Sequence, residues 1–345
     1  MAFGYFTPFT INTGQVPSAQ TDFPILFNTV DIRFATVANG GHVQSSSGFD
    51  IRPFSDSGLV NALSYELERY NATTGEVIMW IKRSSVSDGL VTYLGYGDST
   101  ITTDGSSGTN TFSNGFLAVW HFKDGTTLSV ADSLGTYSFT THNSPTAVAG
   151  QIDGGMGLAS ASSQYVTTPS FGPAAAALTM SEWVKGTTFP NDYNSTINRG
   201  TASVDSYGIF VKSTGKLYNV VLATAGVSYD GTGSHTLSTG TWYYLVTTYD
   251  SVNGLIGYVN AASDGTAAAN GTSSTNNISS AVGWQNSTGT RFWNGSINEV
   301  RVSSVARSAN WITTEYNNQN SPSTFYTLGG ENGVSIFPAF ILAWS

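Results

Sequence analysis

The segment Trp242–Asn260 reads WYYLVTTYDSVNGLIGYVN and decides the fold class of this chain. Its two apolar runs, Trp242–Tyr249 and Leu255–Asn260, each have the length of a β-strand. The residues between them, Ser251-Val252-Asn253-Gly254, are typical of a turn. The segment therefore predicts two strands that follow each other closely along the chain.

The same pattern of short apolar runs between Gly, Asp and Ser clusters recurs along the sequence. The further runs are Glu76–Ile81, Leu90–Tyr96, Phe116–Phe122, Tyr207–Lys212, Lys216–Ala223 and Ile297–Ser303. Many short strands at regular spacing are typical of β-sandwiches, so we predict an all-β protein of two sandwiches in tandem. One short helix is expected at Ser308–Asn317, where Ser308 can act as the N-cap.

The polar segment Asp98–Asn114 contains little that could fill a core, and it predicts a domain boundary. We accordingly divide the chain into a first domain at 1–98, a linker at 99–114, a second domain at 115–328 and an apolar C-terminal tail at 329–345. No secretion signal and no apolar run of membrane-spanning length are visible. We expect the apolar stretch Val334–Trp344 to dock on another subunit.

Composition excludes several classes of protein. The 345 residues include no cysteine, which rules out disulfide scaffolds, thiolate metal sites and cysteine nucleophiles. A net charge of -9, with only 13 Lys and Arg, argues against nucleic acid as a partner. Charged residues make up 10% of the chain, where about 25% is usual. A surface of Ser, Thr, Asn and Gly predicts a location outside the cytosol or on a particle.

Residues 8–98 resemble the DUF2341 family, which has no assigned activity. The matching blocks, in order, are Phe9-Thr10-Ile11 with Thr21-Asp22-Phe23-Pro24, Gly48-Phe49-Asp50-Ile51-Arg52-Pro53, Leu63–Tyr70, and Gly75–Lys82 with Tyr93–Asp98. The resemblance implies architecture rather than function.

Residues 115–328 look like the concanavalin A-like, laminin-G-like jelly roll. The blocks are Ala118–Phe122, Gly150–Leu158, Leu178–Lys185, Gly240–Val246 and Trp293–Val302. The resemblance implies a double-sheet sandwich that often binds glycans or proteins, sometimes with Ca²⁺. Where the family usually has Ser-Ala-Trp, this chain has Ser181-Glu182-Trp183, and we expect the Glu182 carboxylate to face solvent or a partner.

No residue set predicts catalysis. A glycosidase needs paired carboxylates, and the Glu-x-Asp-x-x-Glu motif common in this fold is absent. Glu66 and Glu68 would share one face of a strand, where we expect a structural role at the edge of the sheet. His121 lies between two aromatic residues and is expected to be structural as well. Calcium is the one candidate cofactor, although the loop residues Asp124, Asp132, Asp153, Asp192 and Asp250 form no dense ligand motif.

Two loops combine aromatic and polar side chains in the way that sugar-binding sites require. Phe189–Arg199 offers Asp192, Tyr193, Asn194 and Arg199, and Gly283–Arg291 offers Trp284, Gln285, Asn286 and Arg291. Trp284 either packs on the sandwich edge or contacts a ligand. The strand tryptophans Trp120, Trp183, Trp242 and Trp293 are predicted to be core.

These observations favour a non-catalytic virion surface protein, a bacteriophage decoration or tail-associated protein, with a lectin-like domain. Its partners would be a glycan or cell-surface polysaccharide and other subunits of the particle, and neither nucleic acid nor a membrane. An exported bacterial carbohydrate-binding adhesion module is the first alternative. A jelly-roll glycoside hydrolase with an unrecognised carboxylate pair is the second.

Overall fold

The structure is a computed structural model that describes residues 3–123, 126–169, 171, 176–201, 204–222, 228–268, 279–285 and 289–334. Strands dominate these residues, which confirms the all-β prediction. Within the same residues, no helix is long and apolar enough to cross a membrane.

Two sheets contain the strands of the N-terminal part of the chain. The first sheet has the order β22-β1-β6-β3, with β23 paired to β1, and the second has the order β2-β5-β4. Their strands are β1 (Tyr5–Ile11), β2 (Gln20–Val30), β3 (Arg52–Phe54), β4 (Tyr65–Asn71), β5 (Glu76–Val86), β6 (Val91–Tyr96), β22 (Tyr326–Leu328) and β23 (Asn332–Gly333). Short 3-10 helices at Ile32–Phe34 and Val37–Asn39 follow β2.

Two larger sheets form the concanavalin A-like jelly roll. The eight-stranded sheet has the order β19-β18-β17-β12-β21-β10-β9, with β7 paired to β21, and the seven-stranded sheet has the order β16-β15-β14-β13-β20-β11-β8. Their strands are β7 (Phe116–Trp120), β8 (Thr140–His142), β9 (Thr146–Ala149), β10 (Gly154–Leu158), β11 (Tyr165–Thr168), β12 (Ala177–Gly186), β13 (Asn194–Thr201), β14 (Val204–Val211), β15 (Lys216–Leu222), β16 (Ser228–Thr236), β17 (Tyr243–Asp250), β18 (Gly254–Val259), β19 (Ala262–Ala267), β20 (Ser280–Val282) and β21 (Gly295–Ser303). The opening segment forms β17 and β18, which pair antiparallel as a hairpin.

The jelly-roll core lies between these two sheets. Met180 and Leu245 of the eight-stranded sheet pack in one cluster with Ile197 and Val221 of the seven-stranded sheet. Side chains of alternate residues point to opposite faces of a strand, and Leu178, Met180 and Val184 of β12 accordingly all face this core. Trp120, Trp183 and Trp293 are buried as predicted, whereas Trp242 is only half-buried.

A helix joins the jelly roll to the N-terminal sheets. This helix, α2 (Ala309–Asn320), lies between two short helices along the chain, α1 (Gly108–Thr111) and α3 (Pro322–Phe325), and a 3-10 helix spans Ser160–Ser162. The Ser308 side chain accepts a hydrogen bond from Trp311 N at 3.2 Å, which confirms the predicted N-cap. Trp311 packs in the N-terminal core, while Ile312 packs on Trp183 and Tyr244 of the eight-stranded sheet.

The segments flanking the jelly roll also contact the N-terminal part. Phe112, inside the predicted linker, is fully buried in the N-terminal core. Strand β22 pairs with β1, and Val334 N donates to Gly4 O at 2.9 Å. The division at 98, 114 and 328 stays a prediction. Of the apolar stretch Val334–Trp344, everything after Val334 lies outside the described residues.

Glu182 corrects one expectation from the sequence. Its side chain is 0% exposed, so it faces neither solvent nor an outside partner. It lies opposite a bulge of β21, because between Ser181 and Trp183 the pairing advances three residues on β21, from Arg301 to Asn298. Met180 and Val184, two residues to either side of it, point into the jelly-roll core. The carboxyl group is therefore enclosed in the sandwich.

Candidate functional site

Four half-buried rings form a continuous aromatic patch on the outer face of the seven-stranded sheet: His142, Tyr165, Trp284 and Phe292. Tyr165 is paired with His142 across β11 and β8, and their rings stack at 4.4 Å between centroids. The Tyr165 ring also lies 4.5 Å from that of Trp284. Trp284 and Phe292 stack nearly parallel, at 14° and 6.0 Å. Rings arranged in this way offer a broad apolar surface that remains open to solvent.

Local backbone geometry positions Trp284 and Phe292. Gly283 has φ +85°, and a Cβ there would lie 2.3 Å from the Leu158 side chain, so this turn favours glycine. Trp293 N donates to Gly283 O at 2.9 Å, which holds the two segments together. Trp293 points into the core and is 0% exposed. Its neighbour Phe292 therefore points outward, beside Trp284.

Arg291 directly precedes Phe292 of the aromatic patch, and it shares the Tyr193 ring with a second cationic side chain, Lys212. The Arg291 guanidinium is 4.7 Å from the centre of the Tyr193 ring. The Lys212 ammonium lies 3.7 Å from the same ring and 4.6 Å from that of Tyr218. Each contact is a cation–π interaction, which fixes a long side chain that would otherwise move freely. We call these four residues the basic strip.

The structure brings together only some of the residues predicted for ligand binding. Tyr193 and Arg291 meet in the basic strip, and Trp284 belongs to the aromatic patch. Asp192 is exposed, with its carboxylate 3.8 Å from the Lys212 ammonium. The two loops are tied by a hydrogen bond from Ser195 N to Arg291 O at 3.1 Å.

The other predicted ligand residues do not lie at the surface. Asn194 is 0% exposed, and its amide nitrogen donates to Asn191 O and Val211 O. Arg199 is 2% exposed and lies on the Tyr207 ring. Gln285 is buried and accepts from Arg291. These three side chains are buried beneath the loops and make their contacts within the protein. Asn286 lies outside the described residues.

The aspartates considered for calcium do not gather in one place within the described part of the chain. Asp132 accepts hydrogen bonds from four backbone N–H groups, those of Val119, Leu134, Thr136 and Tyr137. Asp153 pairs with Arg69, and Asp250 accepts from Val252 N and Asn253 N. These contacts are structural, and Asp124 lies outside the described residues.

A second group of chemically active side chains is buried between the jelly roll and the N-terminal sheets. This buried ionic cluster comprises Glu66, Glu68, His121, Glu299, Arg301 and Glu315. His121 Nδ1 lies 2.7 Å from Glu299 Oε1 and 3.5 Å from Glu68 Oε2, and its Nε2 lies 3.6 Å from Glu66 Oε2. The histidine thus has carboxylates on both sides of its ring.

Arginine and aromatic side chains complete the cluster. Arg301 donates to Glu299 Oε2 at 2.8 Å and to Glu315 Oε1 at 2.6 Å. Its guanidinium lies 4.2 Å from the Trp80 ring, and Trp80 in turn stacks on His121 at 5.6 Å. Trp80 Nε1 donates to Glu68 Oε2 at 2.7 Å. Glu299 has φ +52°, a sparsely populated conformation for a non-glycine residue, and such strain is common at functional sites.

The environment of the cluster shifts the protonation of its members. Burial alone would lower the pKa of His121, but the Glu299, Glu68 and Glu66 carboxylates raise that pKa well above its ordinary value. Burial raises the pKa of Glu68, and the nearby charge of Glu299 raises it further. Burial also opposes ionisation of Glu299, yet His121 and Arg301 together lower its pKa. The cluster therefore holds protons tightly around the imidazole.

A small cavity adjoins the cluster, and a larger one lies elsewhere. The small cavity, of about 170 Å³, is lined by Glu66, His121, Phe122, Lys123, Ser129, Ala131, Asp132 and Ser133. The larger, more open cavity of about 360 Å³ lies in the N-terminal part and is lined mainly by Ser and Thr hydroxyl groups and Gln44. None of the residues that line this larger cavity has a charged side chain, so we do not take it as the candidate site.

Sequence reasoning missed the buried ionic cluster as a unit. The expectations were that Glu66 and Glu68 share a face of a strand and that His121 is structural, and neither was joined to Glu299. The alternation of Glu299 and Arg301 with Val300 and Val302 was the available signal. Ordinarily that pattern predicts a charged face in solvent. Here α2 and the N-terminal sheets cover that face.

Comparisons with known proteins agree with the fold. The model of the family Laminin_G_3, described as the concanavalin A-like lectin/glucanases superfamily, matches residues 160–313. The match confirms the concanavalin A-like domain predicted for the second part of the chain. No curated protein matches the chain. The resemblance of the first part to the DUF2341 family stays a prediction.

Solved structures similar to this chain include binding domains and enzymes. The binding domain of Paraclostridial mosquitocidal protein 1 is 13% identical with a TM-score of 0.50, over 59% of this chain and 52% of that one. Domain 4 of AbnA, a GH43 extracellular arabinanase from Geobacillus stearothermophilus, is 19% identical with a TM-score of 0.47, over 57% and 96%. The Trypanosoma rangeli sialidase is 12% identical with a TM-score of 0.45, over 60% and 33%. The first of these supports the fold alone, because fold similarity does not carry function.

Proposed function

We propose that this chain is a non-catalytic carbohydrate-binding protein whose ligand lies on the aromatic patch and the basic strip. The observation that carries the proposal is the continuous row of half-buried rings, from His142 through Tyr165 and Trp284 to Phe292. Sugar rings have apolar faces and polar edges, so a binding site needs flat apolar surfaces with hydrogen-bond donors beside them. Arg291 and Lys212 are such donors at the end of the row.

The aromatic patch is suited to an extended ligand. Its rings are held by neighbouring strands and by one another, so little side-chain freedom is lost when a sugar binds. A protein that hydrolysed a polysaccharide at this surface would need two carboxylates flanking the bound sugar. Glu182 is 0% exposed and cannot reach a polysaccharide, and Glu66 is 9% exposed beside His121. These positions favour binding over hydrolysis.

A glycan array tests the proposal with a matched control. The wild-type chain should bind a subset of glycans, and the double variant Tyr165→Ala/Trp284→Ala should lose that signal. The control is Trp242→Ala, which removes another half-buried tryptophan with a cation, the Lys185 ammonium, 4.9 Å from its ring. Trp242 lies beside β17 on the eight-stranded sheet, away from the patch. Absence of any glycan signal, or equal loss in both variants, would refute the proposal.

A polysaccharide release assay separates binding from hydrolysis. The proposal expects no turnover on a panel of polysaccharides that the wild-type chain binds. Turnover that is lost in Glu66→Gln or Glu182→Gln would favour the glycoside hydrolase alternative instead.

We also propose the setting: the surface of a virion, as a bacteriophage decoration or tail-associated protein. The support is compositional, since only 10% of residues are charged and cysteine is absent. An exported bacterial adhesion module would have the same binding surface. Electron microscopy of the native source with an antibody against the chain distinguishes particles from cell surfaces. Deleting Gly333–Ser345 should impair assembly if the tail contacts neighbouring subunits, and unchanged assembly would contradict that contact.

A further inference from the structure

The geometry points to a metal site: we propose that Glu68, His121 and Glu299 bind one divalent transition-metal ion, with Zn²⁺ the reference ion. One potential ligand atom from each of the three residues lies within 4.8 Å of those of the other two. The ion would be bound by His121 Nδ1 and one oxygen of each carboxylate. This site is independent of the proposed carbohydrate surface, which lies on the other sheet of the jelly roll.

The distances require little movement. Two ligands of a tetrahedral Zn²⁺, each bonded at about 2.0–2.1 Å, are roughly 3.3 Å apart. The Glu68 carboxylate is already close: its Oε2, which accepts from Trp80, lies 3.5 Å from His121 Nδ1, and its unpartnered Oε1 is the oxygen left for the ion. The separation between Nδ1 and Glu299 Oε1 is 2.7 Å and would widen by about 0.6 Å as the ion replaces the shared proton.

A buried atom without a partner provides an independent observation. Glu68 Oε1 has no hydrogen-bond partner among the described residues, although the Glu68 side chain is 0% exposed. Burying an unsatisfied carboxylate oxygen is costly, and a cation would satisfy it directly.

The surrounding groups orient the ligands as the outer groups of metal sites do. Trp80 donates to Glu68 Oε2 at 2.7 Å and stacks on the imidazole. Arg301 holds Glu299 Oε2 at 2.8 Å, which leaves Oε1 for the ion. The unusual φ of Glu299, +52°, turns its side chain toward the histidine. All three ligands are therefore fixed by contacts other than those they make with each other.

The ligand types favour a transition-metal ion over calcium. An imidazole nitrogen with two carboxylate oxygens suits Zn²⁺ and its neighbours, whereas Ca²⁺ prefers six to eight oxygen ligands.

The site would link two parts of the chain. Glu68 lies on β4 of the N-terminal sheets, Glu299 lies on β21 of the jelly roll, and His121 directly follows β7. An ion bound to all three would stabilise the contact between these parts, because it binds the folded chain and not the unfolded one. The cavity beside Glu66 and His121 leads toward the cluster from solvent.

The experiment uses the full, untagged chain after treatment with a chelator. We expect elemental analysis after incubation with Zn²⁺ and desalting to find one Zn²⁺ per chain. The thermal midpoint should rise with Zn²⁺ and much less with Ca²⁺. Glu68→Gln and His121→Gln should each weaken Zn²⁺ binding at least about tenfold. Co²⁺ in place of Zn²⁺ should give visible absorption bands that both variants lose.

Two matched variants keep the result interpretable. Glu66→Gln changes a carboxylate on the Nε2 side of the imidazole, and His235→Gln removes an exposed histidine. Both should still bind one Zn²⁺, which would show that loss of binding in folded Glu68→Gln and His121→Gln is specific to the proposed ligands. Absence of stoichiometric Zn²⁺ in a folded wild-type chain overturns the proposal. So does Zn²⁺ binding that survives in folded Glu68→Gln or disappears in His235→Gln.

Discussion

Replacing Glu182 by glutamine should make the protein more stable above neutral pH and leave it nearly unchanged in mild acid. The carboxyl group lies in the jelly-roll core, and neither oxygen has a hydrogen-bond partner among the described residues. The neighbouring Thr196 hydroxyl donates to Ile209 O at 3.0 Å instead. Burial therefore raises the pKa of Glu182 from 4.5 to about 8.

The direction and size of this change in stability follow from the numbers of protons bound by the folded and unfolded states. Between the unfolded pKa of 4.5 and the folded pKa of about 8, the folded chain holds a proton that the unfolded chain releases. Stability must then fall as pH rises through this window, by about 1.4 kcal/mol per pH unit. Relative to mild acid, the free energy of unfolding is lower by about 3 kcal/mol at neutral pH and by about 5 kcal/mol above the folded pKa of Glu182.

Urea unfolding followed by tryptophan fluorescence measures this effect at a series of pH values between about 5 and 9. The quantity of interest is the difference in unfolding free energy between Glu182→Gln and wild type, because other titrating groups cancel in it. That difference should grow with pH and level off above about 8. Asp192→Asn, at a side chain 70% exposed, serves as the control and should give a flat difference. If the difference in unfolding free energy between Glu182→Gln and wild type did not change with pH, the conclusion that Glu182 is a buried, unpartnered carboxyl group would be refuted.

Two further substitutions test how the fold is held together. Asn318 of α2 accepts from Leu26 N at 2.7 Å and donates to Leu26 O at 2.9 Å, so Asn318→Ala should destabilise the chain by about 1–3 kcal/mol in urea unfolding. Asn320→Ala, at an exposed position of the same helix, should change stability little, and equal effects would contradict this role. Gly283→Ala should lower the thermal midpoint more than Gly240→Ala, because both have positive φ but only Gly283 lacks room for a Cβ. Equal shifts would show that crowding against the neighbouring leucine is unimportant.

The sequence was sufficient to predict much of the fold because local signals and tertiary structure agree there. The predicted strand Glu76–Ile81 lies within β5, and the predicted Lys216–Ala223 matches β15 except for its last residue, which lies outside the described residues. The N-cap at Ser308 marks the start of α2, since a serine oxygen satisfies a helix N–H that otherwise has no partner. Both kinds of signal act over a few residues.

The candidate sites were harder to predict because they join distant segments. The aromatic patch combines rings at 142, 165, 284 and 292, and only the third was singled out in the sequence. Asn194 and Gln285 have the residue types of ligand-binding loops, yet each is buried and hydrogen-bonded within the protein. Residue type cannot show which loop side chains face outward, since strand bulges such as the one in β13 change the alternation.

The most direct test of the account is a calorimetric titration of the best glycan from the array into wild type, Trp284→Ala and Trp242→Ala. Carbohydrate binding at the aromatic patch predicts that Trp284→Ala weakens binding at least about tenfold, which corresponds to about 1.4 kcal/mol, through loss of the central ring of the patch. It predicts an unchanged dissociation constant for Trp242→Ala. A dissociation constant for folded Trp284→Ala equal to that of wild type would contradict carbohydrate binding at the aromatic patch.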